Sequence, residues 1–414
     1  MIDYFETKQY PITRKMVLEA FKLVKANRGA AGVDGQSIEQ FEEDLLGNTY
    51  KLWNRMTSGS YFPSPVREVK IPKKSGGFRS LGIPSVSDRV AQQVVKTYLE
   101  PRIDPSFHQD SYGYRPGKNA HEAIHAAMNR CGKIGWVVDI DIKGFFDNID
   151  HELMLKAMRW YTDEKWVLMY LERWLKADVK KADGQLVRRD KGTPQGGPVS
   201  SLIANVFLHF TFDKWMEKNH PNIRFERYCD DIIVHGVSRK QAEFMQDRIA
   251  ARLRECSLEL NEAKTKIVYC RNENHRERHK NVSFDFLGYT FRPRYCPVQG
   301  KMKLLTAACM SESSKNEVRD QIRKMAIRKF RGSIQQLSRA INCKISGWVN
   351  YYCRFHKWTT VGVWKWLNGK LIEWVMCNKG IGKRKAIRWL VQVAMTKPDI
   401  FAHWQILPLR LGRR

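Results

Sequence analysis

No Cys-x-x-Cys pair occurs among the nine cysteines of this 414-residue chain, which are scattered from Cys131 to Cys377. An odd, unpatterned set argues against a disulfide framework and against a zinc ribbon or finger, so these read as ordinary reduced thiols. No stretch of about 18 uncharged apolar residues exists, and no bilayer-spanning helix is predicted. The opening residues MIDYFETKQYPITRK contain no apolar signal core, which points to a cytoplasmic protein. Internal repeats are absent. Acidic residues are scarce: 43 Asp and Glu stand against 72 Lys and Arg, a formal net charge of +29. Such a field calls for a polyanionic partner, nucleic acid before an acidic membrane surface. No amphipathic helix stands apart, so no membrane partner is expected. Hydrophobic content of 43% excludes a mostly disordered chain.

The excess charge is concentrated. From Lys315 to Arg414 there are 22 Lys or Arg but only 4 Asp or Glu, together with seven of the 13 tryptophans. Cations for phosphates, interleaved with aromatic planes for unstacked bases, suit RNA binding. The plainer reading is a helical domain with a Trp-rich core and a solvated basic surface. Ile334, Leu337, Ile341, Ile345, Trp348, Val349 and Tyr352 recur at helical steps, and Val318, Ile322 and Met325 form a shorter stripe. Arg319, Arg323, Lys324, Arg328 and Lys329 fall on opposite faces, and Lys383, Arg384 and Lys385 make a second basic cluster. These eight are the candidate RNA contacts, carried outward on a helical bundle.

The rest of the chain mixes periods. Helices are expected over residues 14–28, 86–100, 118–131, 152–175, 201–217 and 239–256. A hairpin with a basic tip spans 66–83, a strand runs over Trp136–Ile142, and a second hairpin covers Phe225–Val234. The polar stretch Arg271–Asn281 is the one linker-like segment, too short to separate independent domains.

Two segments carry the chemistry. In VVDIDIKGFFDNID, Asp139 and Asp141 alternate with aliphatics, which on a strand puts both carboxylates on one face. In RYCDDIIVHG, Asp230 and Asp231 are adjacent at the bend of the second hairpin. Aspartate is a poor strand former, and carboxylates beside buried aliphatics are costly unless a cation binds them. Oxygen ligands of this kind suit Mg2+, and two such ions support phosphoryl transfer. A solvated hairpin tip is the plainer reading of Asp-Asp alone. The first pair and the basic chain together favour metal.

These segments, with residues 79–125 (RSLGIPSVSDRV…SYGYRPGKNAHEAIH), GTPQGGPVSSLIANVFLH, LELNEAKTKIV and FLGYTF, resemble in order and spacing the reverse transcriptases of the group II intron maturase family. GAAGVDG near residue 32 and GWVNYYCRF near residue 350 extend the likeness to both ends. The resemblance implies an α+β right-hand polymerase fold, with fingers and palm built on antiparallel sheet and followed by an α-helical thumb or maturase domain. The expected boundaries are 1–85 for the N-terminal extension and fingers, 86–300 for the fingers and palm core, and 301–414 for the thumb.

By the same likeness, Asp141, Asp230 and Asp231 would be catalytic, and Asp141, Ile142, Asp230 and Asp231 would hold two Mg2+ ions. Asp139 corresponds to a less essential position. Phe146 matches a steric gate against the ribose 2′-hydroxyl; the alternative is that Phe145 and Phe146 are both core. Gln195 matches a glutamine lining the nucleotide pocket. Lys73 and Arg79 match residues that grip the incoming triphosphate, with Lys74 an open alternative to Lys73. Lys264 resembles a lysine near the pyrophosphate and a candidate general acid, or is an ordinary surface lysine. Two positions depart from the family's pattern: Cys229 replaces the usual alanine, and Ser201 replaces a proline, where it can still cap the helix.

The implied function is RNA-directed DNA synthesis coupled to splicing and retrohoming of a group II intron. The implied partners are intron RNA, an RNA template with DNA primer, target DNA and dNTPs. With no paired cysteines, an HNH endonuclease of the kind many bacterial relatives carry is not expected. The alternatives are a host-adopted enzyme of the same fold serving defence or repair, and an RNA-binding splicing factor with a relic polymerase site.

Overall fold

Strand β1 (Val66–Pro72) pairs antiparallel with β2 (Phe78–Ile83) in a register running from Arg67 opposite Ile83 to Pro72 opposite Phe78. This is the expected basic hairpin, in a computed structural model that describes residues 9–72 and 76–409. Two compact units emerge. One holds the described residues up to Asn119 with Ile140–Val234 and Glu243–Thr265; the other holds Ala120–Asp139, His235–Ala242 and the described residues from Lys266 onward. Arg271–Asn281 is not their divide. The chain passes between the units several times.

In sequence order, β3 is Trp136–Ile140, β4 Val179–Lys180, β5 Leu186–Val187, β6 Phe225–Tyr228, β7 Asp231–Gly236, β8 Lys266–Tyr269, β9 Phe284–Phe286, β10 Tyr289–Val298 and β11 Lys301–Met310. Within the first unit, β4 extends the β1–β2 hairpin and β6 pairs antiparallel with β7. Within the second, β3 pairs with β8, and β9, β10 and β11 form an antiparallel sheet. The mixture of helix and antiparallel sheet is the expected α+β class.

The helices follow the predicted periods, with informative exceptions. Residues 152–175 form two helices, His151–Arg159 and Lys165–Leu175. The break falls at Thr162, whose hydroxyl accepts the Glu164 amide at 3.2 Å, a local bond that competes with helix. The predicted helix 201–217 begins at Ser200 and contains a π turn over His209–Asp213. Ser201 does not cap it: its hydroxyl donates back to the Pro198 carbonyl at 3.3 Å, because the residue lies inside the first turn.

In the second unit, Glu312–Lys324, Ile334–Tyr352, Val361–Lys379 and Lys383–Thr396 are helices. Ser333 and Gln336 form a reciprocal capping box at the start of the second. The predicted stripe is buried at Ile334, Leu337, Ile341, Ile345 and Val349, and Val318 and Ile322 join it in one core with Trp364, Trp374 and Trp404. Trp348, Tyr352 and Met325 pack at its margin. None of the nine cysteines, all within the described residues, is in a disulfide. No helix among the described residues is long and apolar enough to cross a membrane.

Candidate active site

The aspartate hairpin is tight. Tyr228 and Asp231 face each other, leaving Cys229 and Asp230 as a two-residue turn. Positive φ falls at Cys229 (57°) and not at Asp230, the pattern of a type II′ turn. Asp231 is therefore the first residue of β7 and Asp230 caps the bend. Behind the turn runs the segment before Tyr114. A Cβ on Gly113 would stand 2.5 Å from the Cys229 nitrogen, so only glycine lets the two backbones meet.

Asp141 arrives from another direction. The sequence period placed it within a strand, but β3 ends at Ile140. Beyond it the chain is strapped to residues 259–265: the Asn261 amide donates to the Asp141 carbonyl at 2.8 Å, and the Lys143 amide to the Glu259 carbonyl at 2.8 Å. The Asn261 side chain donates to Asp141 Oδ2 at 2.8 Å, and Lys264 Nζ lies 3.6 Å from Asp141 Oδ1. Lys264 thus stands at the aspartate cluster. Asn261 falls in the LELNEAKTKIV segment, but nothing local marks it as the partner of Asp141, 120 residues away.

The carboxylates feel one another. Asp230 is raised from its ordinary value, chiefly by burial and lastly by Asp141, against the pull of the Cys229 thiol and Arg79. Asp231 is pushed up to about 6 by surrounding protein, then by Asp230 and Asp141, with Lys264 opposing. Asp231 has an exposed surface, so water screens part of this, and the direction matters more than the size. Burial and Asp230 likewise raise Cys229, keeping it a neutral thiol. Crowded acids that resist ionisation favour a bound cation. Among the described residues, no group of three His, Cys, Asp or Glu side chains is placed to hold a metal ion by itself. Mg2+ does not need one: it takes one or two carboxylates and fills its shell with water and substrate phosphate. The donor set fits.

The surrounding residues separate into those brought near and those elsewhere. Arg79 is exposed on β2, and its charge acts on Asp230 and Tyr114. Lys73 and Lys74 lie outside the described residues. Phe145 is core, 2% exposed, whereas Phe146 is half-buried with its ring 5.2 Å from that of Phe145. The Phe146 carbonyl accepts the Thr193 amide at 2.8 Å, which ties this turn to the loop bearing Gln195. That loop is stitched to the β1–β2 hairpin: the Gly82 amide donates to the Gln195 carbonyl at 3.1 Å, and a Cβ on Gly196 would meet the Gly82 oxygen at 2.5 Å. Ile142 is buried and bridges Leu260. Asp139 faces Lys266 in the β3–β8 register.

The eight basic candidates lie in the second unit. Lys383, Arg384 and Lys385 are exposed and line an open cavity of about 410 Å³ with Gly380–Gly382. Arg323, Lys324, Arg328 and Lys329 are exposed and Arg319 half-buried. Arg323 also pairs with Asp320 and stacks 5.4 Å from the Trp366 ring.

Comparison with known proteins gives two family matches: reverse transcriptase (RNA-dependent DNA polymerase) over residues 71–291, and group II intron, maturase-specific domain over residues 315–390. The chain is similar to Protein YkfC of Escherichia coli, 30% identical across 70% of this chain and 83% of that protein. It is similar to the group II intron-encoded protein LtrA of Lactococcus lactis, 34% identical across 46% of this chain and 32% of that protein. A putative COX1/OXI3 intron 1 protein of Saccharomyces cerevisiae is 27% identical over 49% of this chain and 24% of its own length. The chain therefore spans most of the first of these relatives and about a third or less of the other two.

Proposed function

Because this chain belongs to the reverse transcriptase family of RNA-dependent DNA polymerases and carries a group II intron maturase-specific domain, we propose that it copies group II intron RNA into DNA at the Asp141–Asp230–Asp231 cluster and assists splicing of that RNA. The observation that carries this reading is the set of three mutually repelling carboxylates, joined by Lys264 and Arg79, within one compact unit. The substrates are an RNA template with a DNA primer and dNTPs, with target DNA supplying the primer in retrohoming. The functional division follows residues 1–85, 86–300 and 301–414.

Asp141, Asp230 and Asp231, with Ile142 through its main-chain carbonyl, are the residues that would hold two Mg2+ ions. When bound, such ions supply charge neutralisation at the attacking and leaving oxygens. The chain's own groups do the rest. Arg79, with Lys73, orients the triphosphate and offsets its charge. Gln195 and Phe146 line the nucleotide pocket. Lys264, an ammonium beside Asp141, is poised to give a proton to the leaving pyrophosphate.

The test is primer extension on an RNA template with dNTPs and Mg2+, run beside a splicing assay with a group II intron precursor. DNA product with splicing stimulation supports both activities. Splicing without DNA product leaves the relic-polymerase reading. DNA product without any effect on splicing favours the host-adopted enzyme.

Two further outcomes follow. Phe146→Val should open the sugar pocket and raise ribonucleotide use relative to deoxynucleotide about 10–100-fold, since a packed ring rejects one extra hydroxyl by roughly that factor. Single-nucleotide incorporation of each type measures it, and an unchanged ratio would place the gate elsewhere. RNA binding by the basic helices should weaken steeply with salt, with a log–log slope of several units. Neutralising Lys383, Arg384 and Lys385 should reduce that slope and leave single-turnover chemistry on saturating template untouched; filter binding across a salt series reads it.

A further inference from the structure

Two residues before the aspartate turn, Arg227 is wholly buried, with 0% of its surface exposed. Four of its five N–H groups have acceptors. Nε and Nη2 donate to the two oxygens of Asp213 at 2.7 and 2.6 Å, a bidentate fork. Nη1 donates to Asn205 Oδ1 at 3.0 Å and to the Cys229 carbonyl at 3.2 Å. Asn205, itself buried, uses its other end to donate to the Gly113 carbonyl at 2.6 Å. Gly113 is the residue whose backbone abuts Cys229. The contacts close a ring: Arg227, Asn205, Gly113, Cys229 and back to Arg227. Asp213 reaches this ring from the π turn His209–Asp213, an irregularity that often marks a functional position. His209 lies 3.5 Å from Asp213 and is equally buried.

We infer that Arg227, anchored by Asp213 and Asn205, is a positioning residue that holds the Cys229 carbonyl and so keeps the strained turn in the one conformation that presents Asp230 and Asp231 together. The inference rests on reading those aspartates as the polymerase centre. Two physical arguments support it. A non-glycine residue at φ 57° costs free energy and persists only where its surroundings over-determine it. The ring supplies that constraint, at the carbonyl of the strained residue itself. Moreover, a buried ion pair is weak as a source of stability, because apolar residues of similar volume often do as well or better. A bidentate pair that also aims an Nη1 N–H at a turn carbonyl is explained by geometry rather than by stability.

That distinction sets the test. The double variant Arg227→Met/Asp213→Leu removes both charges and keeps apolar bulk, so its melting temperature should stay close to that of the parent chain. Its kcat for RNA-templated extension should fall about 10–100-fold, the usual effect of losing support behind a metal-ligating group. KM for dNTP should change little, and the half-saturating Mg2+ concentration should rise several-fold. Hydrogen–deuterium exchange without metal provides a readout independent of activity: residues 226–233 should exchange faster while β1 and β2 do not. Arg227→Lys keeps the buried charge but cannot bond Asp213 and Cys229 together, and should reproduce both effects even if the double variant misfolds. A folded variant with parental kcat and parental exchange over 226–233 overturns the proposal. Failure of the parent chain to extend any primer would instead overturn the polymerase reading, while the exchange measurement would still decide whether Arg227 holds the turn.

Discussion

Asp230→Ala should abolish RNA-templated primer extension while leaving the fold intact. The carboxylate lies at the bend beside Asp231, within the electrostatic reach of Asp141 and Arg79. Losing one ligand of a charge-neutralising centre removes several kcal/mol of transition-state stabilisation. Taking about 4 kcal/mol, the rate falls roughly 1,000-fold. The same change should not unfold the protein. Asp230 is raised by burial and by Asp141, and it in turn helps raise Asp231. Removing it relieves like-charge repulsion, so the melting temperature should hold or rise. Primer extension and thermal melting on the same preparation check both parts. Extension at the parental rate would move the catalytic centre away from this hairpin. Lost extension with a collapsed melting temperature would mean the residue serves the fold.

Acid should weaken the helical core of the second unit through one histidine. His403 is wholly buried, and burial brings it down to about 3 from an ordinary 6.5. Its Nε2 meets Asn368 Oδ1 at 2.8 Å, and the Trp404 indole donates to that same oxygen at 3.0 Å. Indole N–H can only donate, so this amide presents its oxygen and His403 Nε2 must carry the proton. Nδ1 has no partner, and a second proton there would be an uncompensated buried charge.

The sign follows directly. Above pH 6.5 both the folded and unfolded chains hold this group neutral. As pH falls below 6.5 the unfolded chain takes up a proton that the folded one refuses, so stability drops by about 1.4 kcal/mol per pH unit until near pH 3. Two units of acidification should therefore cost about 2–3 kcal/mol from this group alone. Urea unfolding followed by tryptophan emission is well placed to report it, since Trp364, Trp374 and Trp404 share that core. His403→Gln should be less stable at pH 7.5 yet lose this part of the pH dependence. Parallel pH curves for the two proteins would rule His403 out as the cause.

The stretches most legible in the sequence were those whose physics is local. The stripe from Ile334 to Tyr352 declared a helix and its buried face, because a 3.6-residue period is visible in any window of that length. The hairpin at Asp230–Asp231 was equally readable, since two apolar runs meeting at acidic residues can do little else. Charge alone pointed no further than a polyanionic partner. What escaped were contacts between residues far apart in the chain: Asn261 with Asp141, Arg227 with Asp213 and Asn205, and the glycine contact of residue 113 with Cys229.

Local pattern also misled where tertiary partners competed. β3 ends at Ile140 and antiparallel pairing resumes only as an isolated bridge between Ile142 and Leu260, with the Asp141 side chain held by Asn261. By itself, then, the sequence determined most element types, the hairpin bend at the adjacent aspartates and the basic, aromatic C-terminal third. Only the tertiary structure decided how those aspartates are presented, because hydrogen-bond distance and exclusion of water depend on which distant segments the fold brings within a few ångströms.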